Sequence, residues 1–161
     1  MRKWAMRSII LVIGLLVLMQ AVRPDRTNPA SNPGEHIQAV LPVHPQVAAT
    51  FSRACNDCHS NNTVWPWYSN VAPASWLVAS DVNEGRQELN FSRWGAYKAE
   101  RQQKLLGEIC KEVVEGEMPG AAYSFAHPQA RLSNADREAI CTWTRTAGAR
   151  FPAGNTEREG D

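Results

Sequence analysis

The chain reads as an all-α protein, and three observations lead there. From about Tyr97 to Glu115, Leu105, Leu106, Ile109, Cys110 and Val113 fall on one helical stripe, with Lys104, Glu108, Lys111, Glu112 and Glu115 opposite. Ser133 followed by Asp136 opens a second helix in the manner of a capping box, with Ile140, Trp143, Thr144 and Ala147 along one side. Near the start, Ser8–Val22 is apolar on every face of a helix, so it is not a half-buried surface helix.

Taken in order, residues 1–23 form a basic start followed by that apolar run, the pattern of an export signal. A cleavage site after Ala21 would place the bulky Met19 where a small residue is wanted. Trp4–Val22 as a helix spans roughly 28 Å, about a bilayer core, and the preceding positive charge keeps the N-terminus inside. The expectation is an uncleaved signal anchor in the inner membrane with the rest of the chain in the periplasm; a cleaved, soluble periplasmic form is the alternative. Residues 24–45 hold five prolines and read as an extended linker that keeps the domain off the membrane surface, with His36 and His44 solvated. Residues 46–150 form the folded domain and 151–161 a polar tail.

Export bears on charge and on the cysteines. Outside residues 1–23 the chain has 13 Lys/Arg against 16 Asp/Glu, a balance of −3 that gives no electrostatic basis for nucleic-acid binding. All four cysteines would lie where thiols tend to oxidise.

A helix is expected after Pro45, with Val47, Phe51, Ala54, Cys55 and Cys58 on one face. It delivers Cys55-Asn-Asp-Cys-His59, the attachment pattern of c-type haem. Two thiols three positions apart can add to the two vinyl groups of one porphyrin, and the adjoining histidine can reach the iron. The same two cysteines could instead form a redox disulfide or half a zinc site. Trp65, Trp67 and Tyr68 are expected to line the pocket, or to form an aromatic core under a loop. The carbonyl of Pro66 or Pro73 is expected to hold the second nitrogen of His59. Pro73 opens a helix to about Gln87 with Trp76, Leu77, Ala79 and Val82 inward.

Gly116 ends the long helix and is followed by Glu117-Met118-Pro119. Met118 is the only methionine beyond the N-terminal segment and stands on a loop, outside any apolar stripe. It is the expected sixth ligand, since a His/Met pair fills both axial positions and suits electron transfer. His127 is the alternative. Cys110 and Cys141 lie on helices that would pack together, and are either disulfide-bonded or two buried thiols.

Cys55–His59, Trp65-Pro-Trp-Tyr68, Asn90-Phe-Ser92, Gly116-Glu-Met-Pro119 and the Leu132–Ile140 segment occur in an order that resembles the haem-binding domain family of membrane-anchored, cytochrome c-like bacterial proteins. The resemblance implies a small helical domain around one covalent haem c, with thioethers at Cys55 and Cys58, His59 as proximal ligand and Met118 as distal ligand. Gly120 stands in place of a second proline common in such loops, and Cys110 and Cys141 stand where aliphatic residues are usual.

The expected function is a membrane-tethered periplasmic monohaem cytochrome that exchanges single electrons with redox proteins the chain does not identify. No catalytic triad or carboxylate pair is evident, so an enzyme is not the first reading. A haem peroxidase, or a gas or redox sensor with a displaceable sixth ligand, is the alternative.

Overall fold

The computed structural model describes residues 2–151, and all of their regular structure is helical. Eight α-helices occur among them: α1 (Arg2–Met19), α2 (Ile37–Val40), α3 (Pro45–Ala54), α4 (Asn56–His59), α5 (Ala74–Glu88), α6 (Ala99–Glu115), α7 (Ala121–Ala126) and α8 (Asn134–Gly148). Residues 152–161, most of the expected tail, lie outside the described residues, while Phe151 packs against the core.

The core forms where α3, α6 and α8 present their apolar stripes to one another. Leu105, Leu106, Ile109 and Val113 of α6 meet Ile140, Trp143 and Ala147 of α8. Phe51 of α3 stacks on Phe91 (ring centroids 4.9 Å apart) and takes the edge of Trp143 at 5.3 Å. Burying a side chain of this size contributes about 1.5–3 kcal/mol, so these residues dominate the domain's stability. A Cys110–Cys141 disulfide joins α6 to α8, with Cα atoms 4.8 Å apart.

Local signals place the helix ends. Ser133 caps α8 with a reciprocal capping box to Asp136. Gly116 takes the left-handed conformation (φ 82°), open to glycine without a Cβ penalty. The chain then folds back so that the amides of Glu117 and Met118 both donate to the Glu112 carbonyl. That turn sets the position of the Met118 loop.

Three expectations need correction. First, among the described residues no helix is long and apolar enough to cross a membrane. The expected span ran to Val22, but α1 stops at Met19, and Arg2, Lys3 and Arg7 occupy its first two turns. Gln20 then turns onto the domain, donating to the Ala72 carbonyl and accepting from its amide. Second, the proline-rich segment is not a free tether. Ile37 and Leu41 are buried in the core, and Arg86 ties Thr27 and Asn28 down by hydrogen bonds to the Thr27 carbonyl and the Asn28 side chain. The prolines exclude long helix but not packing of the apolar residues between them. Third, Leu77 of α5 is exposed; the buried face carries Ser75, Ala79, Val82 and Gly85. Small residues occupy it because α5 lies close against α4.

Candidate functional site

The site is built where α3 hands the chain to α4. Cys55 ends α3, and the single turn Asn56–His59 brings Cys58 and His59 against α5. His59 is mostly buried. Its Nδ1 lies 3.0 Å from the Gly85 carbonyl and 3.1 Å from that of Leu89, at the C-terminal end of α5. Both partners are acceptors, so Nδ1 carries the proton and Nε2 keeps a lone pair. Burial lowers the imidazole's pKa against the opposing pull of the two carbonyls, favouring the neutral form that can bind a metal. The expected carbonyl donors, Pro66 and Pro73, do not supply this contact. The end of α5 supplies it instead, through the carbonyl of its C-cap residue Leu89 and that of Gly85, which also accepts from the Leu89 amide.

His59 opens onto a cleft with two lobes of about 330 and 350 Å³. The first is lined by Cys55, Phe51, Leu89, Phe91 and the α6 residues Leu105, Ile109 and Val113. The second is lined by Cys58, Ala54, Gly85 and residues 119–123. His59, Glu88 and Met118 line both. The two cysteines therefore serve different lobes, one on each side of the histidine. Met118, 42% exposed, closes the cleft from the α6–α7 loop.

The thiols are not activated. Burial pushes Cys55 up to about 12, and burial with the nearby Asp81 and Asp57 pushes Cys58 up to about 11. A redox Cys-x-x-Cys site calls for a depressed thiol pKa, so this environment argues against that reading. Among the described residues no group of three or more His, Cys, Asp or Glu side chains is arranged to hold a metal ion alone. A planar, largely apolar group carrying its own metal, bound by two thiols and an imidazole, fits the donor set and the cleft.

The aromatic segment behaves differently from expectation. Trp67 is 78% exposed and Trp65 is half-buried, and neither lines the cleft. Tyr68 lines an adjoining cavity of about 150 Å³ that shares Cys58, Asp81, Ala122 and Tyr123 with the second lobe. The proline between the tryptophans turns the chain outward before the 3-10 turn Trp67–Asn70. His127, the expected alternative ligand, also lies outside both lobes, with Nε2 2.6 Å from the Tyr68 hydroxyl and its ring stacked on Tyr123.

Several site residues escaped the sequence reading. Gly85 is one: a Cβ there would come 2.8 Å from the Cys58 carbonyl oxygen, so α5 can approach α4 only with glycine at this position. A glycine inside an otherwise good helix was the available signal. Arg86 is another, donating to the Ser60 carbonyl and the Thr63 hydroxyl and so bracing the turn that follows His59. Behind that turn Asn61, Asn90 and Ser92 form a buried hydrogen-bonded set, with Asn90 Nδ2 donating to Asn61 Oδ1 at 2.7 Å and Ser92 Oγ accepting from the Asn61 amide. Such pairings across the chain leave no local periodicity.

Residues 14–146 match a family described as a haem-binding domain. No curated protein and no solved structure matches the chain.

Proposed function

The chain belongs to the haem-binding domain family, and from that membership we propose that it is a c-type monohaem cytochrome carrying single electrons. One haem is held covalently through Cys55 and Cys58, with His59 and Met118 as axial ligands. The observation that carries this reading is the shared cleft: His59 and Met118 line both lobes, Cys55 one lobe and Cys58 the other. When bound, haem supplies an iron that alternates between two oxidation states. The chain's residues do the rest. Gly85 and Leu89 orient His59, the thiols retain the group, and Phe51, Phe91, Leu105 and Ile109 exclude water and lower the local dielectric. A thioether at the sixth position raises the potential relative to a second imidazole.

In this proposal residues 1–23 direct export, and the exposed apolar side chains of α1 hold the domain against the periplasmic surface of the inner membrane without a full helical span, where redox partner proteins meet it. The support is that the apolar side chains of α1 are exposed along its length, with Arg2, Lys3 and Arg7 placed to sit among headgroups. A cleaved, soluble periplasmic form is the alternative, and membrane fractionation with N-terminal sequencing decides between them.

The test of the main reading is a pyridine haemochrome assay after expression with haem-attachment machinery, followed by absorption spectra of wild type, Met118→Ala and His127→Ala. Covalent haem, a low-spin spectrum and loss of the methionine-to-iron band only in Met118→Ala are expected. Absence of covalent haem overturns the proposal. A high-spin wild-type spectrum moves the function to peroxide reduction or gas sensing.

A further inference from the structure

On the Cys58 side, a series of rings leads from the cleft to the surface. Tyr123 lines the second lobe together with Cys58 and His59. Its ring stacks on His127 with centroids 4.4 Å apart and planes 20° from parallel. His127 lies 6.0 Å from the ring of Tyr68, and its Nε2 is 2.6 Å from the Tyr68 hydroxyl. Trp67 meets Tyr68 edge-on at 5.9 Å and is 78% exposed. Tyr68, Tyr123 and Cys58 also share the 150 Å³ cavity, so little separates the first phenols from the haem-attachment turn.

A packing role explains this series poorly. A satellite core would bury Trp67, and it would not need a phenol hydrogen-bonded to an imidazole. The polar contacts match the chemistry of phenol oxidation instead. A tyrosine that loses an electron near neutral pH must also lose its proton, so a redox-active tyrosine needs a base in hydrogen-bond contact. The Gln129 side-chain amide lies against His127 Nδ1 with its nitrogen 3.2 Å away; turned over, which exchanges only the amide's N and O positions, its oxygen accepts the Nδ1 proton and leaves Nε2 to accept from Tyr68. Tyr123 donates to Asp57 at 2.8 Å.

We propose that Tyr123, His127, Tyr68 and Trp67 form a relay that carries an oxidising equivalent from the haem cleft to the surface when the bound haem meets a peroxide. The proposal rests on the haem reading above and applies when peroxide takes the sixth position from Met118, which is 42% exposed on its loop. Hydrogen peroxide takes two electrons and two protons to become two waters. Of these, the relay supplies electrons one at a time. Tyr68 gives up an electron through Tyr123 while its phenolic proton passes to Nε2 of His127. Trp67 then returns an electron to Tyr68, and the proton comes back from Nε2. Exposed Trp67 is refilled by an external phenol, which becomes a phenoxyl radical and releases its proton to solvent; a second passage completes the pair, and the two released protons match the two that peroxide takes up. The effect is to move damage away from the thioethers and to let a reductant too large for the cleft be oxidised at the surface.

The test uses haem-loaded full-length protein, its haem content measured by haemochrome assay, mixed with hydrogen peroxide. Frozen samples are read by electron paramagnetic resonance and digests by mass spectrometry. In the lipid-free protein Trp4, 73% exposed on α1 and outside the ring series, is the internal control. A tyrosyl radical that disappears in Tyr68→Phe is expected, with Trp67 oxidised several-fold more than Trp4 in wild type and no more than Trp4 in Tyr68→Phe. If Tyr68→Phe fails to load haem, Trp67→Phe serves, and there the tyrosyl signal should outlast that of wild type. Equal oxidation of Trp4 and Trp67 in loaded wild-type protein, a radical unchanged in Tyr68→Phe, or a signal in Trp67→Phe no longer-lived than wild type overturns the relay alone. A preparation without covalent haem overturns the relay and the haem reading together.

Discussion

Gly85 lies so close beneath Cys58 that any side chain on it would strike the Cys58 backbone: an added Cβ falls 2.8 Å from the carbonyl oxygen and 3.1 Å from the carbonyl carbon. The same glycine's carbonyl receives the His59 Nδ1 proton. One residue thus sets both the spacing of α5 from the Asn56–His59 turn and the orientation of the imidazole.

Gly85→Ala is expected to destabilise the protein by about 1–3 kcal/mol, because main-chain atoms cannot give way as a flexible side chain would. That loss exceeds the gain of about 1 kcal/mol in helix propensity. Urea denaturation measures it, and the haemochrome assay should show reduced haem content.

Arg86 clasps the chain on both sides of the site, donating to Ser60, Thr63, Thr27 and Asn28. Arg86→Ala is expected to cost about 2–4 kcal/mol, since hydrogen bonds from a charged donor contribute roughly 1.5–3 kcal/mol each but do not add fully. Limited proteolysis should then cut near Thr27 and Asn28 faster than in wild type. An unchanged cleavage rate would mean that Ile37 and Leu41 alone hold the segment down.

The Cys110–Cys141 bridge closes a loop across a sequence separation of 31 residues between the two central helices. Replacing both cysteines by alanine should lower stability by about 3–4 kcal/mol on loop-closure grounds. The low-spin spectrum should persist, since neither cysteine lines the cleft. Thermal unfolding and spectra of the double variant check both halves of the expectation.

Asp136 links acid stability to α3, through Arg53 and Thr50. Burial alone would raise its pKa, but hydrogen bonds from the Ser133 side chain and amide, and the Arg53 guanidinium 2.8 Å away, hold it at about 2. A folded pKa below the unfolded value of about 3.9 means that the unfolded chain takes up protons first as pH falls. The contribution, roughly 2 kcal/mol, is therefore complete above about pH 4 and is lost as pH falls toward 2. Asp136→Asn should remove that slope, leaving denaturation midpoints flatter between pH 4 and 2.

Cys55, Cys58 and His59 could be singled out from local order alone, because the proposed covalent cofactor would demand thiols and an imidazole at one spacing whatever surrounds them. Cys55, Cys58 and His59 line the cleft as their spacing suggests. Helix stripes were legible for the same kind of reason: Leu105, Leu106, Ile109 and Val113 repeat with the period of the helix they bury. Ser133 and Asp136 announced α8 because a capping box is completed within four residues.

What escaped was set by partners distant in the chain. The acceptors for His59 come from residues 26 and 30 positions on, and a carbonyl has no residue type to betray it. Trp65, Trp67 and Tyr68 looked alike by composition, yet neither tryptophan lines the cleft, and Tyr68 lines only the cavity that adjoins it beside Cys58. His127 was a free histidine until folding placed Tyr68 and Tyr123 against it. Ile37 and Leu41, set among prolines with no period to follow, became core only because the domain offered them a surface to cover. Chemistry confined to a few consecutive residues could be read from their order, while orientation, exposure and second partners depend on close packing, which only the folded chain brings about.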